Sequence, residues 1–154
     1  MSGRLITSTD REKNMQFDTS LHKCTIVVDR ALTPGLAMNA ASVLGVCLGR
    51  QVEGLVGPDL LSLDGVTYPG VIRAPLPVLL GEGNTLLSLF SAAQNDPQIL
   101  VLPFSALAQS CKTWEEYELR LAGASSAETE LAALGLVGPK KQIARLTGNL
   151  PLYR

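Results

Sequence analysis

One histidine, three scattered cysteines and no excess of charge of either sign mark this chain by what it withholds. His22 has no cysteine or acidic cluster at ligand spacing, so it makes neither a metal site nor a convincing general base, and no cofactor is implied. Cys24, Cys47 and Cys111 do not form a disulfide framework and read as reduced thiols of a cytoplasmic protein. With 13 basic and 14 acidic side chains the net charge is -1. Such a balance gives no whole-molecule field for nucleic acid or an anionic membrane, and neither is expected as a partner. The first 22 residues hold no apolar stretch long enough for a signal peptide or a membrane span. No internal repeat, low-complexity tract or domain linker is evident.

What is present is ample apolar material. At 46% apolar over 154 residues, the chain suits one domain with its own core. Residues 1–22 are polar and carry Arg4, Asp10, Arg11, Glu12 and Lys13, which predicts an N-terminal arm, with a neighbouring subunit as one candidate for its support. Residues 23–154 are then a single α/β domain.

That domain is organised around Lys23 to Gly49. Cys24 to Val28 is a β-branched run suited to a strand covered on both faces. Thr33 and Pro34 have the chemistry of an N-cap followed by a first helical residue, and from Leu36 to Leu48 only Asn39 and Ser42 are polar, which predicts a helix buried nearly all round. Asp64-Gly65 predicts a tight hairpin with positive φ at both residues. Val78 to Leu80 is a second core strand, Asn84 the expected N-cap of the helix after it, and Ile99 to Leu102 a third strand stopped by Pro103. Thr113 and Glu116 have capping-box spacing, with Trp114 and Tyr117 on one face, for packing in the core or at an interface. Leu134 to Val137 is the final strand, and Gly138-Pro139 opens the last helix. The pattern predicts a three-layer α/β/α domain with a mixed sheet of about four strands.

In α/β sheets ligands bind beyond the carboxyl ends of strands, which brings Asp29, Arg30, Asn39 and Ser42 forward as ligand-binding candidates. Short polar side chains also bond locally to backbone, the plainer account of Asn39 and Ser42. Lys140 and Lys141 fall in the first turn of the last helix, where the dipole disfavours cations, and Arg145 lies one turn beyond Lys141. An anion would turn that penalty into attraction, so the three are candidates for a small anionic ligand. Gly81-Glu82-Gly83 mimics a phosphate loop, but Glu82 would repel the phosphate. Cys111 beside Lys112 lacks an oriented base.

The closing residues Gly138-Pro139, Ile143, Leu146-Thr147-Gly148, Leu150 and Leu152-Tyr153 resemble the end motif of the archaeal and eukaryotic type of peptidyl-tRNA hydrolase. The order Lys23, apolar strand, Leu32, Gly35 and Ala40-Ala41 resembles its opening. The likeness spans Lys23 to Tyr153 and implies that fold, closer to a branch of small bacterial proteins of unknown function than to the hydrolases. The hydrolases place a lysine and a glutamine on the first helix and an aspartate after the third strand. The matching positions here hold Met38, Ser42 and Phe104, none able to transfer a proton at neutral pH. The resemblance therefore implies a non-hydrolytic binding or regulatory protein, and the arm predicts self-association as a homodimer or other homo-oligomer. The alternative is a hydrolase acting on peptidyl-tRNA or a related ester through Asp29, Asn39 and Ser42. A structural subunit of a complex is the third reading.

Overall fold

The computed structural model describes residues 15–126 and 129–154. Residues 1–14 of the expected arm lie outside the described residues. Its remainder is anchored: Phe17 is buried, its N–H donates to Glu53 O at 2.8 Å, and the N–H of Glu53 donates to Met15 O.

Four strands form one mixed sheet in the order β4-β1-β6-β5. They are β1 (His22–Asp29), β4 (Val78–Gly81), β5 (Leu100–Ser105) and β6 (Leu131–Pro139). β1 and β4 are parallel, whereas β6 runs antiparallel to both β1 and β5 and is inserted between them. The last strand of the chain is therefore central, which fits its uninterrupted burial from Leu131 to Gly138. Two short strands, β2 (Leu60–Leu61) and β3 (Thr67–Tyr68), make a separate hairpin.

Helices cover both sheet faces. Helix α1 (Pro34–Gln51) packs on the face bearing Cys24, Ile26, Val28, Ala133 and Val137. On the opposite face Val27, Leu134 and Leu136 meet α2 (Gly83–Gln94) and α5 (Lys140–Thr147). The alternation along β1 and β6 is the period of two of an extended chain with a core on each side. Two short helices, α3 (Ala106–Ser110) and α4 (Trp114–Ala122), follow β5.

Local chemistry sets most boundaries as the sequence predicts. Thr33 Oγ1 accepts from the N–H of Leu36 and Pro34 takes the first helical turn; Thr113 caps α4 in the same way through the N–H of Glu116. Several expectations are corrected. Helix α1 is not buried all round: Ala37, Ala40, Leu44 and Leu48 form its core stripe, and the outer face leaves Met38 and Val46 in water, because only one sheet lies beneath it. Glu82, not Asn84, is the N-cap of α2, since Gly83 enters the helix. β5 continues through Pro103 to Ser105, as an edge strand tolerates a residue without an N–H. In the hairpin only Gly65 takes positive φ, at 84°, and the N–H of Ser62 donates to Val66 O, so the loop is longer than a two-residue turn. Trp114 lies exposed rather than in the core.

The C-terminal tail closes the outer edge of β4. The N–H of Leu80 donates to Pro151 O at 2.9 Å, and the N–H of Tyr153 to Val78 O at 2.8 Å. A covered edge is protected from pairing with other chains.

Candidate functional site

At the carboxyl end of β1, each candidate side chain already has a partner. Asp29 Oδ1 accepts from the N–H of Ala31 at 2.9 Å. Arg30 Nε pairs with Glu82 Oε1 at 3.1 Å, so the phosphate-loop mimic is occupied by its own ion pair. On α1, Ser42 Oγ donates to Met38 O at 2.8 Å, within its own helix. Asn39 Oδ1 accepts from Gln109 Nε2 at 3.2 Å, and the same amide nitrogen donates to Leu36 O at 2.8 Å. Gln109 thus ties α3 to α1. The four candidates share no hydrogen bond with one another among the described residues.

The opposite end of the sheet is open. Pairing of β1 with β4 begins only at Ile26, opposite Val78, so among the described residues the start of β1 has no strand beside it on that side. Thr25 Oγ1 and the N–H of Ile26 both donate to Pro77 O, and Cys24 Sγ donates to Pro75 O at 3.5 Å, which fixes the approach to β4. A cleft of about 480 Å³ remains, lined by His22 and Lys23 from β1, Arg73 and Pro75 from that approach, and Lys140 from α5.

The antiparallel course of β6 puts this cleft where it is. Its carboxyl end lies beside the amino end of β1, with Lys23 opposite Gly138 and His22 opposite Pro139, so the first turn of α5 arrives at the open edge. The N–H of Lys140 donates to Leu21 O, which docks that turn. Arg73 is held by its N–H to Leu55 O and by Nη1 to Gly54 O at 3.2 Å. His22 Nδ1 accepts from the N–H of Asp18, which leaves Nε2 as the ring nitrogen able to carry a proton and donate. The nearby Asp18 carboxylate is itself engaged: Ser20 Oγ and the Ser20 N–H both donate to it and hold it below the usual carboxylate range.

Of the anion candidates on α5, only Lys140 lines the cleft; Lys141 and Arg145 are exposed elsewhere on the helix. Sequence reasoning missed Lys23 and Arg73 and set His22 aside. The missing signal was non-local, since nothing near Arg73 in the sequence announces Lys140. Burial pushes the Cys24 thiol up from its ordinary value. At Cys111 the sulfur donates to Leu107 O and accepts from Arg120 at 3.6 Å. Among the described residues no group of three or more histidine, cysteine or acidic side chains is placed to hold a metal, and no helix is long and apolar enough to cross a membrane.

Fold and cleft together define a small mixed α/β protein with a cationic recess at the amino end of its first strand. The chain belongs to a family described as a protein of unknown function (DUF2000), whose model matches residues 22–154. A solved structure of a protein of unknown function from Agrobacterium tumefaciens strain C58 is similar, with a TM-score of 0.77 over 86% of this chain and 98% of that one, at 13% identity. At that identity the likeness speaks for the fold alone. No curated protein matches the sequence.

Proposed function

We propose that the protein binds a small phosphorylated metabolite in the cleft at the first turn of α5 and does not hydrolyse it. The observation that carries this reading is convergence. Lys23, Arg73 and Lys140 come from three separate elements to line one recess with His22, and no carboxylate is among its lining residues. Cations gathered at the positive end of a helix dipole repel one another and the dipole, whereas an anion turns each repulsion into a charge-assisted contact. The volume lies in the range of small-molecule sites.

The absence of hydrolysis rests on the resemblance to the peptidyl-tRNA hydrolases. Its closing motif supplies α5 and the tail on β4, which supports a scaffold of that type. At the matching catalytic positions Met38 is exposed, Ser42 donates to its own helix and Phe104 packs against the core. General acid-base work needs a titratable group within reach of the reacting atom, and these three side chains offer none. Three free cysteines, one of them buried, fit a reducing compartment such as the cytoplasm.

Titration with inorganic phosphate and with a nucleoside monophosphate, followed by calorimetry and thermal unfolding, tests the reading. Ligand is expected to raise Tm as mass action requires, with the response lost in a Lys23→Glu, Lys140→Glu double variant and no deacylation of peptidyl-tRNA by the wild type. An unchanged response in that variant rejects the cleft as the site. Deacylation lost in Asp29→Ala or Asn39→Ala would replace this reading with the hydrolase.

A further inference from the structure

We infer that the hairpin spanning residues 56–71 is the contact surface of a homodimer, each copy covering the hairpin of the other. Leu60, Leu61, Leu63, Val66, Tyr68 and Val71 all lie exposed on this projection, Leu63 completely, and both pairs of the β2–β3 ladder face water. At the recorded exposures these residues, with Val56 at the root, leave on the order of 900 Å² of largely apolar surface in water over the two faces of the ribbon, where the largest patch of a typical monomer is roughly 300–600 Å² and one side of a standard interface is about 800 Å². A two-stranded ribbon with two residue pairs and no packed face is marginal alone, so its ordering calls for a cover.

Chemistry narrows the occupant. No lysine or arginine lies between Arg50 and Arg73. The two carboxylates of the projection, Asp59 and Asp64, are exposed and each accepts one local hydrogen bond, Asp59 Oδ1 from the N–H of Gly70 and Asp64 from Ser62 Oγ. A surface without cations does not attract nucleic acid or anionic lipid. A mainly apolar partner surface is required, and a second copy presents one of matching area. Among the described residues both outer edges of the β2–β3 ribbon are unpaired, so a twofold axis can set like edges side by side in a self-complementary contact. The apolar surface also extends inward, since Val56 packs by Gly49 on α1 and Val46, one turn earlier, is 76% exposed.

Sedimentation velocity on the full chain across the micromolar range tests the inference. The wild type is expected to sediment as a species of twice the chain mass. Leu61→Glu and Leu63→Glu, at positions that contribute nothing to the core, are expected to convert it to monomer with unchanged far-ultraviolet circular dichroism. Trp114→Glu, on the exposed face of α4, is expected to leave the dimer intact. Hydrogen exchange gives a second reading that needs no variant: amides of residues 60–68 gain protection as concentration rises. A wild type that is monomeric throughout overturns the inference, as does a dimer indifferent to both hairpin substitutions or one dissolved by Trp114→Glu.

Discussion

Lys23 lies opposite Gly138 in the antiparallel ladder of β1 and β6, two residues before Lys140. That pairing joins the start of the first strand to the start of the last helix. A one-residue slip of β6 would separate the two lysines and also turn Leu134 and Leu136 to the wrong face of the sheet. The cationic recess is therefore specified by the same register that packs the core.

Lys140 and Lys141 share the first turn of α5 but only the former lines the cleft, and this separates two kinds of effect. Replacing either by Glu removes a cation from the positive end of the dipole, worth about 0.3–1 kcal/mol, so both variants are expected to unfold slightly later than wild type without ligand. Only Lys140→Glu is expected to lose affinity for phosphate. The loss of a charged hydrogen bond, about 1.5–3 kcal/mol, corresponds to roughly ten- to a hundredfold in Kd by calorimetry.

Helix α1 offers a matched pair of core and surface positions. Leu48 is fully buried and lies 3.6 Å from where a Cβ on Gly135 would stand, whereas Val46 is mostly in water. Leu48→Ala is expected to cost about 2–5 kcal/mol in urea unfolding, the sum of lost transfer energy and a cavity over the sheet centre. Val46→Ala, measured on monomeric Leu63→Glu protein so that no subunit contact intervenes, is expected to stay within about 0.5 kcal/mol.

These positions also show what a sequence can disclose. The β-branched run of β1, the Thr33-Pro34 start of α1 and the Thr113 cap of α4 were legible because their causes are local: a rotamer preference, a fixed φ, a hydroxyl three residues from an N–H. The mixed four-strand sheet was legible as a class. The insertion of β6 between β1 and β5 was not, since Leu131 to Gly138 would be equally apolar in any central position. The cleft was hidden for that reason. Looking to the carboxyl ends of strands led to Asp29 and Asn39, whereas the antiparallel strand carries a helix N-terminus to the other end, where Lys23 and Arg73 wait.

Cys24 gives a pH dependence of known sign. Burial raises its thiol pKa above the ordinary 9.0, so the folded state retains a proton that the unfolded chain gives up first. Its contribution is complete below pH 9.0 and is lost as pH rises through the folded value. The Tm difference between wild type and Cys24→Ala is therefore expected to be flat from neutral pH to about 9 and to shift against the wild type above it. In native protein Cys24 is expected to resist alkylation, and to react once urea unfolds the chain.

The hairpin root has no room for a side chain. A Cβ on Gly70 would collide with the carbonyl oxygen of Gly57, a backbone atom that cannot swing aside. Gly70→Ala is expected to cost about 1–3 kcal/mol through local rearrangement. Because the root stands apart from the sheet, hydrogen exchange is expected to quicken over residues 56–72 and to remain slow in β1 and β6, with the dimer weakened in parallel.

The tail that covers β4 provides the last test. Its bonds from Leu80 to Pro151 and from Tyr153 to Val78 occupy the outer backbone groups of a strand whose inner side pairs with β1. Replacing Tyr153 by Pro removes the N–H that donates to Val78 O and so weakens the pairing beside Leu79, but leaves the buried residues of α5 in place. An uncovered edge strand of apolar residues is a template for another chain. The variant is expected to keep its helical circular dichroism, lose exchange protection at Leu80, and form species larger than a dimer by light scattering. A variant that stays at the wild-type mass while Leu80 exchanges freely would show that the tail is not what shields this edge from other chains.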